Sequence, residues 1–136
     1  MRAHQILSHT ADVRLRAEGS TIEELFCAAL EGMAEIQSAR ITNHELRITK
    51  NINMKSVDRT ALLIDFLSEV LAQSQIEKAV FDTVAFVKLT NTELEAEISG
   101  ERAEGFAEDI KAVTYHGAEI VQNSAGNYET TILFDI

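Results

Sequence analysis

Carboxylates near both ends of the chain are the residues best suited to chemistry. Asp12 follows His9 near the start, while Asp135 precedes Ile136, whose main-chain carboxylate would be a third acidic group. If the fold brings the two ends together, protonation, a basic partner or a hard cation must relieve the repulsion among them. Ca²⁺, Mg²⁺ and Mn²⁺ favour such oxygen ligands, whereas zinc prefers thiolates and imidazoles. Asp12, Asp135 and Ile136 are therefore candidate metal ligands.

Each half of this candidate site also has a simpler interpretation. The segment from His9 to Asp12 could be a turn whose side-chain oxygens satisfy nearby backbone groups. Residues at the end of a chain are more often frayed than ordered. In favour of a site, Asp12 lies at the start of a predicted strand and Asp135 at the end of another, where a rigid element can aim a side chain.

A second group of candidates is the cation Lys111 and the imidazole His116. Because they are five residues apart, strict alternation along a strand puts their side chains on opposite faces, unless a bulge intervenes. Lys111 could balance the carboxylates or reach the phosphate of a partner. An ordinary solvated lysine on a strand is the alternative, and it is about as common.

Familiar catalytic motifs are missing from the sequence. It contains no Walker-type phosphate loop, no dinucleotide-binding fingerprint, no G-x-S-x-G element and no cysteine pairs with zinc spacing. Its single cysteine, Cys27, adjoins Phe26 on the apolar side of a predicted helix, where a thiol usually acts as a small hydrophobic group. We therefore do not expect an enzyme driven by nucleotides on its own.

Charge and composition limit the classes of partner. The chain has 12 Lys and Arg against 22 Asp and Glu, for a net charge of −10. Such a surface repels phosphate backbones and anionic lipids, so weak or no direct binding of nucleic acid is expected. No apolar run approaches the roughly 20 residues that cross a bilayer. With neither an internal disulfide nor a secretion signal indicated, the cytoplasm is the expected compartment.

Helix and strand patterns show how these residues are positioned. Strict alternation over residues 11–18 predicts a half-buried strand. After a capping-box pattern, an apolar stripe at helical spacing predicts a helix over residues 22–38. A second, more apolar helix is predicted over residues 58–75, with Ser56 or Asp58 as its N-cap. This second helix should lie at the centre of the core.

Strand signals cluster in the rest of the chain. They cover about residues 46–54, 79–89, 94–98, 110–116, 119–122 and 128–134. Apolar and β-branched residues on both faces of 79–89 predict an interior strand, joined by a hairpin turn to the next one. Because strands do not alternate regularly with helices, the expected class is α+β. We predict two helices packed against a largely antiparallel β-sheet, in a single domain spanning residues 1–136.

Several segments, taken in order, resemble the archease family. They are H-T-A-D at 9–12, E-E-L-F at 23–26, F-L-S-E at 66–69, K-A-V-T-Y-H at 111–116 and F-D-I at 134–136. Each segment is weak evidence alone, but the combination is specific in one short acidic chain. The resemblance spans nearly the whole sequence and implies the same α+β fold.

The resemblance implies an accessory function in tRNA splicing and RNA repair. Archeases activate the RtcB-type RNA ligase, which uses GTP and a divalent metal to join RNA ends. They promote guanylylation of the ligase's active-site histidine and allow multiple turnover. By this resemblance Asp12, Asp135 and the Ile136 carboxylate hold the metal, and Lys111 is tied to activity. His9 and His116, within the matching segments, are further candidates for activation of the partner.

Two other functions stay open at this stage. One is a chaperone-like modulator of a tRNA-modifying enzyme, such as a tRNA methyltransferase, whose effects would survive the loss of Asp12. The other is a small metal-dependent hydrolase that uses Asp12 and His116 as acid or base. A hydrolase requires a concave pocket with convergent polar groups. The leading expectation is a protein without catalytic activity of its own.

Overall fold

Two helices and eight strands make up the described part of the chain. The structure, a computed structural model, describes residues 1–7, 12–37 and 47–136. The helices are α1, Ile22–Gln37, and α2, Arg59–Glu77; the strands are β1, Arg2–Leu7, β2, Asp12–Gly19, β3, Arg47–Lys55, β4, Ala79–Leu89, β5, Glu93–Arg102, β6, Ala112–Thr114, β7, Val121–Gln122, and β8, Tyr128–Asp135. The strand pairs in these ranges are antiparallel. The predicted class, with two helices against antiparallel sheet, is confirmed.

The strands are divided between two sheets. The larger sheet has the spatial order β1, β2, β8, β6, with β7 also paired to β8, and the smaller one has the order β3, β5, β4. Both helices contact strands of both sheets, so the core lies between the sheets and the helices. In the described ranges neither helix combines the length and the apolar character needed to cross a bilayer.

Two strand predictions are wrong in detail. The pattern of Ala79–Leu89 predicts an interior strand, but β4 lies at an edge of the smaller sheet and β5 lies in the middle. Only the first three residues of β4 are buried, and Val87 is 80% exposed. Apolar residues on both faces therefore do not distinguish a central strand from an exposed edge. The strand predicted over 110–116 is also shorter, because β6 covers Ala112–Thr114 alone.

Aromatic side chains join the two helices to the smaller sheet. Phe26 of α1, Phe66 of α2 and Phe86 of β4 form a cluster with ring centroids 5.9–6.0 Å apart. Phe26 and Phe66 are completely buried. Full burial of such a side chain stabilises the fold by about 1.5–3 kcal/mol. The apolar stripes of both predicted helices therefore face the core, as their spacing indicated.

Both helices begin at caps that the sequence indicated. Thr21 Oγ1 accepts a hydrogen bond from the Glu24 N–H at 3.1 Å, and the Glu24 carboxylate accepts one from the Ser20 N–H at 2.9 Å. Asp58 is the N-cap of α2, because its Oδ1 accepts a hydrogen bond from the Ala61 N–H at 2.8 Å. These caps satisfy N–H groups that have no partner inside a helix.

Gly100, in the middle strand of the smaller sheet, allows the backbone of β4 to approach closely at Val80. A Cβ atom at Gly100 would lie 1.9 Å from the Val80 carbonyl oxygen, which is backbone and cannot move away cheaply. We expect Gly100→Ala to lower the free energy of unfolding by about 2–4 kcal/mol, measured by urea denaturation. Gly105→Ala is the control, since a Cβ there would meet no atom within 4 Å beyond its two chain neighbours. Equal unfolding midpoints for the two variants would contradict this packing.

Candidate functional site

Strand β8 lies between β2 and β6 and brings distant parts of the chain together. Asp12, the first residue of β2, is directly opposite Asp135, the last residue of β8. On the other side of β8, Ala112 is opposite the same Asp135. The Lys111 N–H donates a hydrogen bond to the Asp135 carbonyl oxygen at 2.7 Å. Three of the segments that the sequence singles out therefore meet at one end of the larger sheet.

The two aspartate side chains lie on the outer face of this sheet. Val13 and Phe134, the neighbouring opposite pair, are 2% and 0% exposed and face the core. Because side chains alternate along a strand, Asp12 and Asp135 both lie on the other face. Directly opposite residues have Cβ atoms about 4.5–5.5 Å apart, and like charges at such positions are destabilising. The register therefore creates a local repulsion.

Ile136 holds the end of the chain on the fold. Its side chain is partly buried and packs against the hydrophobic core, next to the exposed Asp135 and the buried Phe134. This order of buried and exposed side chains continues the alternation of β8 by one residue. A frayed end, the simpler interpretation of the sequence, does not agree with this packing. Ile136, whose carboxylate is the third predicted ligand, thus lies at a packed position next to Asp135.

Other charges on the same face have partners. Arg16 donates a hydrogen bond to the Glu129 carboxylate at 2.8 Å, and this bond lowers the pKa of Glu129 below its ordinary value. Arg14, opposite Leu133, is the cation two residues along β2 from Asp12 on this face. Among the described residues it forms no ion pair with either of them. Within the described residues, Asp12 and Asp135 are therefore the acids of this face without an ion-pair partner.

The chemistry of these donors fits a hard cation. In residues 1–7, 12–37 and 47–136, no three side chains of His, Cys, Asp or Glu are grouped to hold a metal ion. The predicted set differs from such a group because its third member, the Ile136 carboxylate, belongs to the main chain. Two side chains and a terminal carboxylate offer only oxygen ligands, which Ca²⁺, Mg²⁺ and Mn²⁺ prefer. Metal binding by Asp12, Asp135 and Ile136 stays a prediction.

The remaining predicted site residues are spread around β6. Lys111 and His116 are both exposed and lie on either side of this short strand. Because β6 ends at Thr114, strand alternation does not determine the direction of the His116 side chain. The His116 N–H donates to Thr114 Oγ1 at 3.3 Å. His9 lies outside the described residues, and the roles of these three residues in activation stay predictions.

Helix α2 fastens residues 110–120 to the fold by side-chain hydrogen bonds at both ends. Gln75 Nε2 donates to the Ile110 carbonyl oxygen at 3.1 Å, and Thr60 Oγ1 accepts from the Ile120 N–H at 3.1 Å. This segment contains the candidates Lys111 and His116. Since β6 contributes only three residues of sheet pairing, α2 supplies much of the remaining support.

A third connection in the same segment joins Tyr115 to Asp65 of α2. The Tyr115 hydroxyl donates a hydrogen bond to one oxygen of the Asp65 carboxylate, and Ser56 Oγ donates to the other at 2.6 Å. The bond to the carboxylate raises the pKa of Tyr115 above its ordinary value. Sequence reasoning missed the role of Asp65. The signal available was an aspartate inside the apolar run 61–66 of a predicted helix.

Comparisons with known proteins give the family. The model of the archease protein family matches residues 4–136. This chain belongs to the archease family. A curated archease of Thermococcus gammatolerans is 31% identical over 100% of both chains. The family resemblance that the sequence segments indicated is therefore confirmed.

Solved structures of family members have the same fold. The solution structure of protein 1598 of Methanobacterium thermoautotrophicum matches with a TM-score of 0.69 and 25% identity over 98% of each chain. The crystal structure of a Thermotoga maritima protein, described as an archease and possible chaperone, matches with a TM-score of 0.70. It covers 96% of this chain and 94% of its own, and at 18% identity it speaks for the fold alone.

The repulsion between Asp12 and Asp135 should lower the stability of the protein, which can be measured without a partner protein. We expect Asp12→Asn to raise the free energy of unfolding by up to about 1 kcal/mol in the presence of a chelator, because it removes one like charge. Millimolar Ca²⁺ or Mn²⁺ should stabilise the native protein but not this variant. Thermal unfolding with and without the cation measures both effects.

Glu97→Gln is the matched control for this measurement. Glu97 lies on the exposed face of the smaller sheet, opposite Asn51 and Ala85 and not opposite an acid. Its loss should leave the response to the cation unchanged. A native protein that gains no stability from either Ca²⁺ or Mn²⁺ would contradict the predicted site.

Proposed function

We propose that this protein is a non-catalytic activator of an RtcB-type RNA ligase in tRNA splicing and RNA repair. In this proposal it promotes GTP-dependent guanylylation of the ligase histidine and allows repeated turnover. Membership of the archease family supports the general assignment. The single observation that carries the mechanism is the register that sets Asp12 directly opposite Asp135 on an exposed face.

The metal-binding residues in this proposal are Asp12, Asp135 and the carboxylate of Ile136. A bound Ca²⁺, Mg²⁺ or Mn²⁺ would supply positive charge that offsets three carboxylates and attracts phosphate oxygens. The chain's own contribution is to hold these oxygens at the edge of a rigid sheet. There they are accessible to a large partner, because Asp135 is exposed and Asp12 is still partly exposed.

Lys111 is the residue proposed to reach the partner's phosphates. Lys111 is an exposed residue, while its backbone N–H is bonded to the Asp135 carbonyl oxygen. A lysine acts as a compact point charge, which suits contact with the phosphates of a nucleoside triphosphate in the ligase. His9 and His116 are proposed as further contacts with the ligase. GTP and RNA are thus reached through the ligase and not bound by this chain alone.

Charge favours a protein partner with a basic surface. A net charge of −10 repels RNA directly but complements the positive, phosphate-binding mouth of an RNA ligase. Electrostatic attraction of this kind speeds association more than it strengthens the complex. A transient contact in the cytoplasm, where tRNA is processed, agrees with a factor that acts repeatedly on many ligase molecules.

A chaperone-like function is the second candidate. Membership of the archease family leaves this function open. On this alternative, the protein would modulate a tRNA-modifying enzyme, such as a tRNA methyltransferase, by keeping it soluble or specific. Such effects do not require Asp12 or Asp135, so the two candidates differ in their dependence on the acidic pair.

An assay with purified ligase tests the proposal. Substoichiometric amounts of this protein should raise the rate of ligase guanylylation and the number of RNA joining events per ligase. Asp12→Asn should reduce the maximal stimulation by about tenfold or more, since it removes one of three charged ligands. A short Gly-Ser extension after Ile136 should have a similar effect, because it displaces the terminal carboxylate without changing a side chain.

Glu97→Gln, which alters an acid on the other sheet, should stimulate as the native protein does. Circular dichroism of each variant establishes that the fold is kept. Absence of stimulation by the native protein would contradict the proposed function. Full stimulation by the extended chain would remove Ile136 from the metal-binding residues, and stimulation that survives both changes would favour the chaperone-like alternative.

A further inference from the structure

An open cleft of about 820 Å³ lies between the start of α2 and residues 115–120. Neither the aspartate pair nor Lys111 is among its lining residues, so it is separate from the proposed metal site. The cleft is formed where Asp65 connects α2 to Tyr115. A hydrogen bond within the protein therefore connects its two walls.

The polar part of the cleft is centred on the Asp65 carboxylate. This side chain is half-buried and accepts one hydrogen bond at each oxygen, from Tyr115 and from Ser56. An ionised carboxylate has about four acceptor positions, so each oxygen can accept another donor. The two existing bonds fix the orientation of the group. Asp65 is thus a preoriented acceptor that faces a concave surface.

The rim of the cleft is apolar and unusually exposed. Val57 is 86% exposed, although it directly precedes the Asp58 N-cap, where an apolar residue often packs against the fourth helical residue. That fourth residue, Leu62, is completely buried without it. Tyr115, on the opposite rim, is 57% exposed. The Val57 side chain and the Tyr115 ring are thus exposed apolar surfaces in the lining of the cleft that contains Asp65.

The charge around the cleft is negative. Asp58, Asp65 and Glu119 line it, and Lys55 is its single lysine. Lys55 Nζ lies 3.8 Å from a Glu93 carboxylate oxygen. In the part of the chain that the structure describes, no Lys or Arg forms an ion pair with any of the three lining acids. The cleft therefore combines apolar walls with carboxylates that have no ion pair to a Lys or Arg of the described residues.

An anion is the wrong occupant for this cleft, although it lies at a helix N-terminus. The positive end of the α2 dipole attracts anions, but Asp58 already occupies it and accepts the Ala61 N–H. The neighbouring Arg59 is directed elsewhere: it donates to Asn91 at 3.1 Å and stacks over the Tyr128 ring. A phosphate or an acidic peptide would thus meet carboxylates without a free cation.

We propose that this cleft binds an arginine side chain from a basic loop of a protein partner. Arginine fits because its guanidinium can donate to Asp65 and stack on Tyr115, while its aliphatic stem covers Val57. The inference rests on the proposed function only in naming the RNA ligase as the partner. It gives that partner a docking point distinct from the metal site.

A pair of short peptides tests the cleft without any ligase. We expect acetyl-Gly-Arg-Gly-amide to bind weakly, in the roughly millimolar range, and to shift the NMR amide signals of Ser56, Tyr115 and Ile120. The matched peptide with citrulline, which has the same shape and no charge, should bind at least about tenfold more weakly. Asp65→Asn should abolish the difference between the peptides. Equal shifts with both peptides, or shifts only outside the cleft, would overturn the proposal.

The ligase assay tests the same cleft independently of the peptides. Val57→Ser should raise the concentration for half-maximal stimulation by about tenfold and leave the maximum unchanged, because the apolar rim aids docking. Val87→Ser, the same change at an 80% exposed valine outside this cleft, is the control. An unchanged half-maximal concentration for Val57→Ser, with native stimulation intact, would rule out docking here. If the native protein gives no stimulation, the proposed function fails and the peptide result still decides the cleft.

Discussion

The pairing of β2 with β8 is the interaction on which the rest of this structure depends. It joins the second strand of the chain to the last one and fixes which side chains face the core. Burial of the opposite pair Val13 and Phe134 contributes about 1.5–3 kcal/mol for each side chain. Repulsion between Asp12 and Asp135, one step further along, costs at most about 1 kcal/mol. Burial therefore determines the register, and the acidic pair is tolerated because of it.

This balance explains how an acidic edge can persist in a small domain. A slip of one residue would reverse the faces of both strands and expose Phe134, so the register is strongly specified. The packed Ile136 side chain extends the same constraint to the last residue. The proposed function depends on two features of this fold: the carboxylates at the end of the larger sheet, and residues 110–120, which α2 holds beside them. The cleft at Asp65 lies between α2 and this segment.

Much of the local structure could be predicted from sequence, and less of its assembly. Alternation predicted β2, and helical spacing with caps predicted α1 and α2 to within a few residues. Acidic residues at predicted strand ends suggested that the two ends of the chain meet, and the pairing of Asp12 with Asp135 agrees with this, while their function as a site stays a prediction. The order of apolar and polar residues within one strand does not show which other strand pairs with it, so the division into two sheets and the edge position of β4 were missed. Asp65 was missed because its partners, Ser56 and Tyr115, meet it only in the folded chain.

The most direct test of a shared cation is paramagnetic broadening of amide NMR signals by Mn²⁺. Since Asp12 and Asp135 are 123 positions apart in sequence but paired in the sheet, a common ion must broaden both regions at the same concentration. The account predicts the earliest broadening at residues 12–13 and 134–136, with Ala112 next. Broadening of one end alone, or broadening centred on the glutamates of β5, would contradict it.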